Sequence, residues 1–157
     1  MDHDAPRTSL QFLFTQLARL YITHAYTRFE KMGVHPGQIP MLGCLIEKDG
    51  QSQRELAHWL SVRPSTIAVT IKRMEKTGLV SRSQDPSDLR ITRIFICEKG
   101  REVFAAARKI LDGIDQEFFA DFSPEEMAEI HHLLMRARTN ALQIVAPAEL
   151  DRTASGE

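Results

Sequence analysis

Apolar residues recur at three- and four-residue steps through most of the chain. Leu10, Leu13, Phe14, Leu17, Leu20, Tyr21, Ala25 and Phe29 predict a long first helix that Gly33 stops. Pro36 opens a second, carrying Ile39, Met41, Leu42, Leu45 and Ile46 and ending at the Asp49-Gly50 turn signal. Leu56, Ala57 and Leu60 mark a short third helix, and Pro64 begins a fourth on which Ile67, Ile71 and Met74 share one stripe before Gly78. The period then falls to two: β-type runs at 79–83 and 91–97 flank a Pro- and Asp-containing loop and predict a hairpin. Val103, Ala107, Ile110, Ile114 and Phe118 predict a fifth helix. Ser123-Pro124-Glu125-Glu126 is a capping box for a sixth, carrying Met127, Ile130, Leu134, Ala137, Ala141 and Ile144. Residues 1–8 and 146–157 lack any apolar period and read as frayed tails.

A short helix, a tight turn, a longer helix and a hairpin follow the order that places the second helix in a DNA major groove with the hairpin beside it. The expected fold is mainly α (α+β): one domain over 1–157, with a winged helix-turn-helix lobe at 36–97 and a two-stranded β-wing. Helices at 9–33 and 99–145 flank the lobe, and 146–157 is a flexible tail. A monomer of this size offers few surfaces to cover the apolar stripes of the flanking helices. A homodimer built on them is the economical solution, and it doubles the DNA contact.

Projection of the fourth helix at about 100° per residue separates two faces. Ile67, Ile71 and Met74 fall at about 180–240°, whereas Ser65, Thr66, Val69, Arg73 and Lys76 spread over about 0–100°. The second face offers hydroxyls, methyls and cations, the groups that meet guanine O6/N7, thymine methyls and phosphates. Thr70 and Lys72 flank it and suit phosphates, and Arg63 lies in the turn before it. Arg90, just past the hairpin loop, is placed to enter a minor groove, and Asp88 is the carboxylate expected to orient its guanidinium.

Charge sharpens this picture. The 157 residues carry a formal net charge of −1, but residues 53–93 hold eight Lys and Arg against four Asp and Glu. That segment is therefore +4 and the remainder −5, the footprint of one surface meeting phosphates while the rest keeps the chain in solution. A composition of 43% hydrophobic and 26% charged residues fits a globular domain. No apolar run reaches the ~20 residues needed to span a bilayer. Two cysteines without C-x-x-C spacing, and no signal-like start, indicate a reduced, cytoplasmic setting. G-x-S-x-G, H-E-x-x-H, a phosphate-cradling glycine loop and paired carboxylates are all missing, so catalysis is not expected. The adjacent His131 and His132 diverge on a helix, and His3, His24, His35 and His58 lack metal-ligand spacing, so neither metal nor cofactor is expected. Cys44, in an apolar helix, reads as a small core residue.

The runs Gln53-Arg54-Glu55-Leu56-Ala57, Pro64-Ser65-Thr66 and Lys72-Arg73-Met74-Glu75-Lys76-Thr77-Gly78-Leu79-Val80-Ser81-Arg82, with Asp88-Leu89-Arg90 and Glu98-Lys99-Gly100, resemble the MarR family of winged-helix transcription regulators. The likeness extends from the first helix to the last. It implies a homodimer on a pseudo-palindromic operator, usually a repressor, often released by a small phenolic or anionic ligand. It also assigns recognition to Ser65, Thr66, Val69, Thr70 and Arg73, and the wing contact to Asp88 and Arg90. An effector would then lie between the pairing helices and the DNA lobe, near Tyr21, His24, Phe29, Met32 and Met41. Leu89 departs from a pattern in which a second basic residue is common, and Cys97-Glu98 stands where Leu-Thr is frequent. Two rival readings keep the fold: a protein-interaction module, which needs no cationic face, and a metal-sensing regulator.

Overall fold

The computed structural model describes residues 7–144. The tail expected at 146–157 lies outside them, as does all but Arg7 and Thr8 of the one at 1–8. Helix α1 (Leu10–Glu30) is followed by a 3-10 turn (Pro36–Gln38) running into α2 (Ile39–Glu47), then β1 (Gln51–Ser52), α3 (Gln53–Leu60) and α4 (Pro64–Lys76). Strands β2 (Val80–Gln84) and β3 (Thr92–Ile96) precede the two long helices α5 (Glu98–Phe118) and α6 (Pro124–Ile144).

The wing holds one strand more than expected. The two residues of β1 pair antiparallel with β3, Gln51 opposite Ile94 and Ser52 opposite Arg93, so the sheet order is β1-β3-β2. A two-residue strand has no periodicity to read. Its second residue, Ser52, also caps α3: its hydroxyl accepts the Glu55 N–H at 3.2 Å, and Glu55 accepts the Ser52 N–H at 2.8 Å. The second helix likewise begins as a 3-10 turn, with His35 Nδ1 accepting the Gly37 N–H at 3.1 Å. The capping box expected at Ser123 forms, Glu126 N–H to Ser123 Oγ at 3.3 Å and Ser123 N–H to Glu126 Oε2 at 2.8 Å.

One core unites the lobe with α1 and α5. Leu42 and Leu45 of α2, Leu56 of α3, Ile71 and Met74 of α4, Ile94 of β3 and Ile114 of α5 are fully buried, with Ala25 and Phe29 of α1 beside them. Gly100 is required where α5 leaves the sheet, because a Cβ there would stand 2.3 Å from the Leu79 carbonyl oxygen. The sixth helix is different: none of its residues is buried. It meets the lobe where Arg138 sits over the Trp59 ring of α3 at 5.8 Å.

Candidate nucleic-acid interface

The turn into α4 is tight because Ser61 adopts the left-handed conformation (φ 51°), its N–H bonded to carbonyls at the end of α3. Pro64 then occupies a first-turn position where no N–H is needed. At the far end Gly78 turns left-handed (φ +74°), and the Leu79 N–H reaches back to the Met74 carbonyl at 2.9 Å. Ile67, Ile71 and Met74 are at most 2% exposed, so the rotation of the helix about its axis is fixed. The opposite face is left to solvent: Ser65, Thr66, Lys72, Arg73 and Lys76 are exposed, and Val69 is 52% exposed. Arg63 and Thr70 are half-buried. The Thr70 hydroxyl donates to the Thr66 carbonyl at 2.9 Å, so in this rotamer it has no proton left for a phosphate, which offers only acceptors.

At the wing the expected pairing of Asp88 with the Arg90 guanidinium is replaced by another. Asp88 Oδ1 accepts the backbone N–H of Arg90 at 3.0 Å, a turn bond two residues long. The guanidinium that meets a carboxylate is that of Arg93, whose Nε donates to Asp85 Oδ2 at 2.7 Å. Arg90 is exposed beside the 69%-exposed Leu89, without an ion pair among the described residues. Of the eight cations between 53 and 93, Arg82 is also neutralised, by Glu75 at 2.7 Å. Lys72, Arg73 and Lys76 on α4, Arg90 at the wing tip and Arg54 on α3 carry no such partner among the described residues. A projecting helix with hydroxyl, methyl and cationic groups, beside a ribbon ending in a free arginine, is shaped for duplex DNA.

A profile described as the MarR family matches residues 34–92, the 3-10 turn through the start of β3. The transcriptional regulator HosA of Escherichia coli O111:H- is 33% identical over 129 residues, which cover 82% of this chain and 95% of that protein. This chain belongs to the MarR family. It is a transcriptional regulator of that family, and its fold agrees with solved members. A MarR regulator from Methanosarcina mazei Go1 matches with a TM-score of 0.80 at 26% identity, covering 90% of this chain and 94% of that one. A MarR-family regulator from Listeria monocytogenes, solved in complex with 26mer DNA, matches with a TM-score of 0.77 at 21% identity, covering 83% and 87%. At that identity the second likeness concerns the fold alone.

Among the residues that the MarR resemblance assigns to an effector, Phe29 and Met41 are buried core and Met32 packs on that core half-exposed. Tyr21 and His24 instead join a polar seam between α1 and α5, both against the Phe118 ring. Tyr21 donates to Asp115 at 2.8 Å; burial, and then this bond, push its pKa up to about 12, so it stays a neutral phenol. His24 and Arg28 converge on Glu117 at 2.9 and 2.6 Å, and the two hydrogen bonds, Arg28 first, hold that carboxyl below its ordinary range. A cleft of about 620 Å³ opens elsewhere, between the 3-10 turn and α4. Of the five residues only Met41 lines it, together with Ser65, Thr66, Val69, Thr70 and Arg73. Burial pushes the Cys44 thiol up from its ordinary value, which leaves it a poor nucleophile. No helix of the described residues is long and apolar enough to cross a membrane.

Sequence reasoning missed Asp85, Glu55, Glu75, Trp59 and Arg138. Glu55 alone carried a usable signal, since Ser52 followed three residues later by Glu is a capping-box pattern.

Proposed function

We propose that this protein is a sequence-specific, double-stranded-DNA-binding repressor that acts as a homodimer on a pseudo-palindromic operator and is released by a small phenolic or anionic ligand. The observation that carries the reading is the fixed rotation of α4: its apolar stripe is buried, and Ser65, Thr66, Val69 and Arg73 therefore face outward, with no ion pair on Arg73 among the described residues. In this reading Arg73 reads a guanine, Val69 a thymine methyl, and Ser65 and Thr66 base edges or phosphates. Arg63, Lys72 and Lys76 hold the backbone, while Arg90, its turn fixed by Asp88, enters the minor groove.

Pairing through 9–33 and 99–145 is supported by what those helices leave bare. Leu10, Leu13, Phe14, Leu17 and Leu20 of α1 and Leu133, Leu134, Met135 and Leu142 of α6 are all exposed, a density that a lone chain rarely presents. A two-fold pair of 36–97 lobes requires a two-fold operator. Release fits two places. The α1–α5 seam holds Tyr21 and His24, while Phe29 and Met41 belong to the core and Met32 packs on it, and a ligand in the seam would act on the spacing of the lobes. A molecule in the cleft beside α4 would cover the reading face itself.

The decisive experiment is a fluorescence anisotropy titration of the full chain with random-sequence duplex at low salt, then selection from genomic fragments. Tight, salt-sensitive binding with a recovered palindrome is expected. No binding at low salt ends the DNA reading, and a monomer in sedimentation at micromolar concentration ends the pairing.

A further inference from the structure

We propose that Arg93 is a positioning residue: it does not touch DNA but fixes the angle of the wing against the helix-turn-helix, so that Arg90 and Arg73 engage one site together. The inference rests on the DNA-binding reading above. Arg93 stands on β3 between two carboxylates from different elements. Its Nε donates to Asp85 Oδ2 at the base of the wing loop at 2.7 Å, and its Nη1 donates to Glu55 Oε2 on α3 at 2.9 Å. A longer bond from Nη1 reaches the Gly50 carbonyl at 3.4 Å. Glu55 is itself immobilised, because the same oxygen accepts the Ser52 N–H and Oε1 lies 3.5 Å from Lys48 Nζ. The wing is thus tied to the first helix of the motif through a side chain that also caps that helix.

A matching tie lies on the other strand. Arg82 of β2 meets Glu75 of α4 at 2.7 Å, so each long strand of the wing is bridged to one helix of the helix-turn-helix. Arg93 stands on the central strand of the sheet, opposite Ser52 on β1 and Ser83 on β2, one pair in from the loop end where Gln84 meets Thr92. The Asp85 side chain is only 14% exposed and that of Arg93 29%, so this ion pair is screened less than most surface pairs. Arg93 with its two carboxylates carries no positive excess to offer a phosphate, unlike Arg90.

Geometry makes the angle matter. Two residues, Ile91 and Thr92, separate Arg93 from Arg90, so three residue steps of ~3.3 Å put the two at most roughly 10 Å apart. A tilt of about 10° would move the tip by roughly 2 Å, more than a hydrogen bond tolerates.

Asp85→Asn isolates this role. Asparagine keeps an oxygen for the Ser87 N–H that Asp85 Oδ1 accepts at 2.8 Å, so the loop turn survives while the Arg93 bond is lost. Removing a negative charge beside DNA should tighten binding if only electrostatics counted. Positioning predicts the opposite sign: about tenfold weaker binding of the full chain to the duplex recovered by selection, the loss set by one charge-assisted hydrogen bond. The salt dependence should stay that of the unaltered chain. Hydroxyl-radical protection at the wing's minor groove should fade while guanine N7 protection under α4 persists, a split that general destabilisation would not give. Arg93→Gln should behave likewise, with thermal unfolding followed alongside to show that the variants are folded at the assay temperature. Unchanged or tighter binding by Asp85→Asn overturns the proposal, as does a salt slope about one lower for Arg93→Gln, which would make Arg93 a phosphate contact. If the unaltered chain binds no duplex at all, the DNA reading falls and this inference with it. Native binding with both variants unaffected defeats this inference alone.

Discussion

Helices α4 and α6 are both amphipathic and both lie at the surface, yet their apolar stripes meet different fates. On α4 the stripe is closed within the chain, Ile67, Ile71 and Met74 packing into the core shared by α2, β3 and α5. On α6 no residue is buried, and Leu134 is 52% and Ile144 77% exposed. A helix seated by its own core can hold a polar face in one fixed direction, as reading DNA demands. A helix with a bare stripe holds nothing until a second surface arrives, and its apolar residues then specify a partner rather than a fold.

Four measurements test this contrast, in order of expected effect. Ile71→Ala should cost ~2–5 kcal/mol of stability by chemical denaturation, since it opens a cavity in a closed core. Leu134→Ala in α6 should leave the unfolding of the protomer nearly unchanged while weakening self-association in sedimentation; equal losses from both would erase the distinction. Gly100→Ala should cost ~1–3 kcal/mol, because the new methyl meets the Leu79 carbonyl rather than a yielding side chain. Arg73→Ala should leave stability untouched and weaken cognate DNA by ~1–3 kcal/mol, relaxing base preference at one position in each half-site. Uniform loss on every sequence would make it a phosphate contact instead.

The smallest effect concerns pH. In the folded chain Asp85 is held below its ordinary value of 3.8 by the Arg93 bond first, then by backbone N–H groups of the loop. Glu55 is held below 4.5 chiefly by its hydrogen bonds with Ser52. Their contribution is complete above those ordinary values and is lost as pH falls through the lowered ones. The melting temperature of the lobe should therefore drop slightly between about pH 5 and pH 3, and Asp85→Asn should flatten that drop. A melting temperature that rises over this interval would contradict the assigned ties.

Most of the helical framework was legible from periodicity and punctuation. Pro64 and Gly78 bounded α4, the three-residue stripe set its orientation, and Ser123 with Glu126 announced α6. The errors lay where contacts are long in sequence. Asp88 was expected on the Arg90 guanidinium because they are two residues apart. A carboxylate that near its own backbone bonds the N–H first, and the arginine that needed a carboxylate found one eight residues away across the ribbon. Counting charges from 53 to 93 likewise treated Arg82 and Arg93 as available, and only the fold shows them spent on Glu75, Asp85 and Glu55. The five effector candidates do not share a place: the chain routes Phe29 and Met41 into the core, leaves Met32 half-exposed upon it, and sends Tyr21 and His24 into a polar seam.

The sequence by itself determined which segments form helices, which face of α4 is buried and that a ribbon follows it, because these depend on local propensity and on a period that nearest neighbours impose. Tertiary structure decided the third strand of the sheet, the partners of the arginines and the angle between wing and helix. Those depend on which distant backbones come within hydrogen-bond reach, and a side chain's charge gives no direction until the fold supplies one.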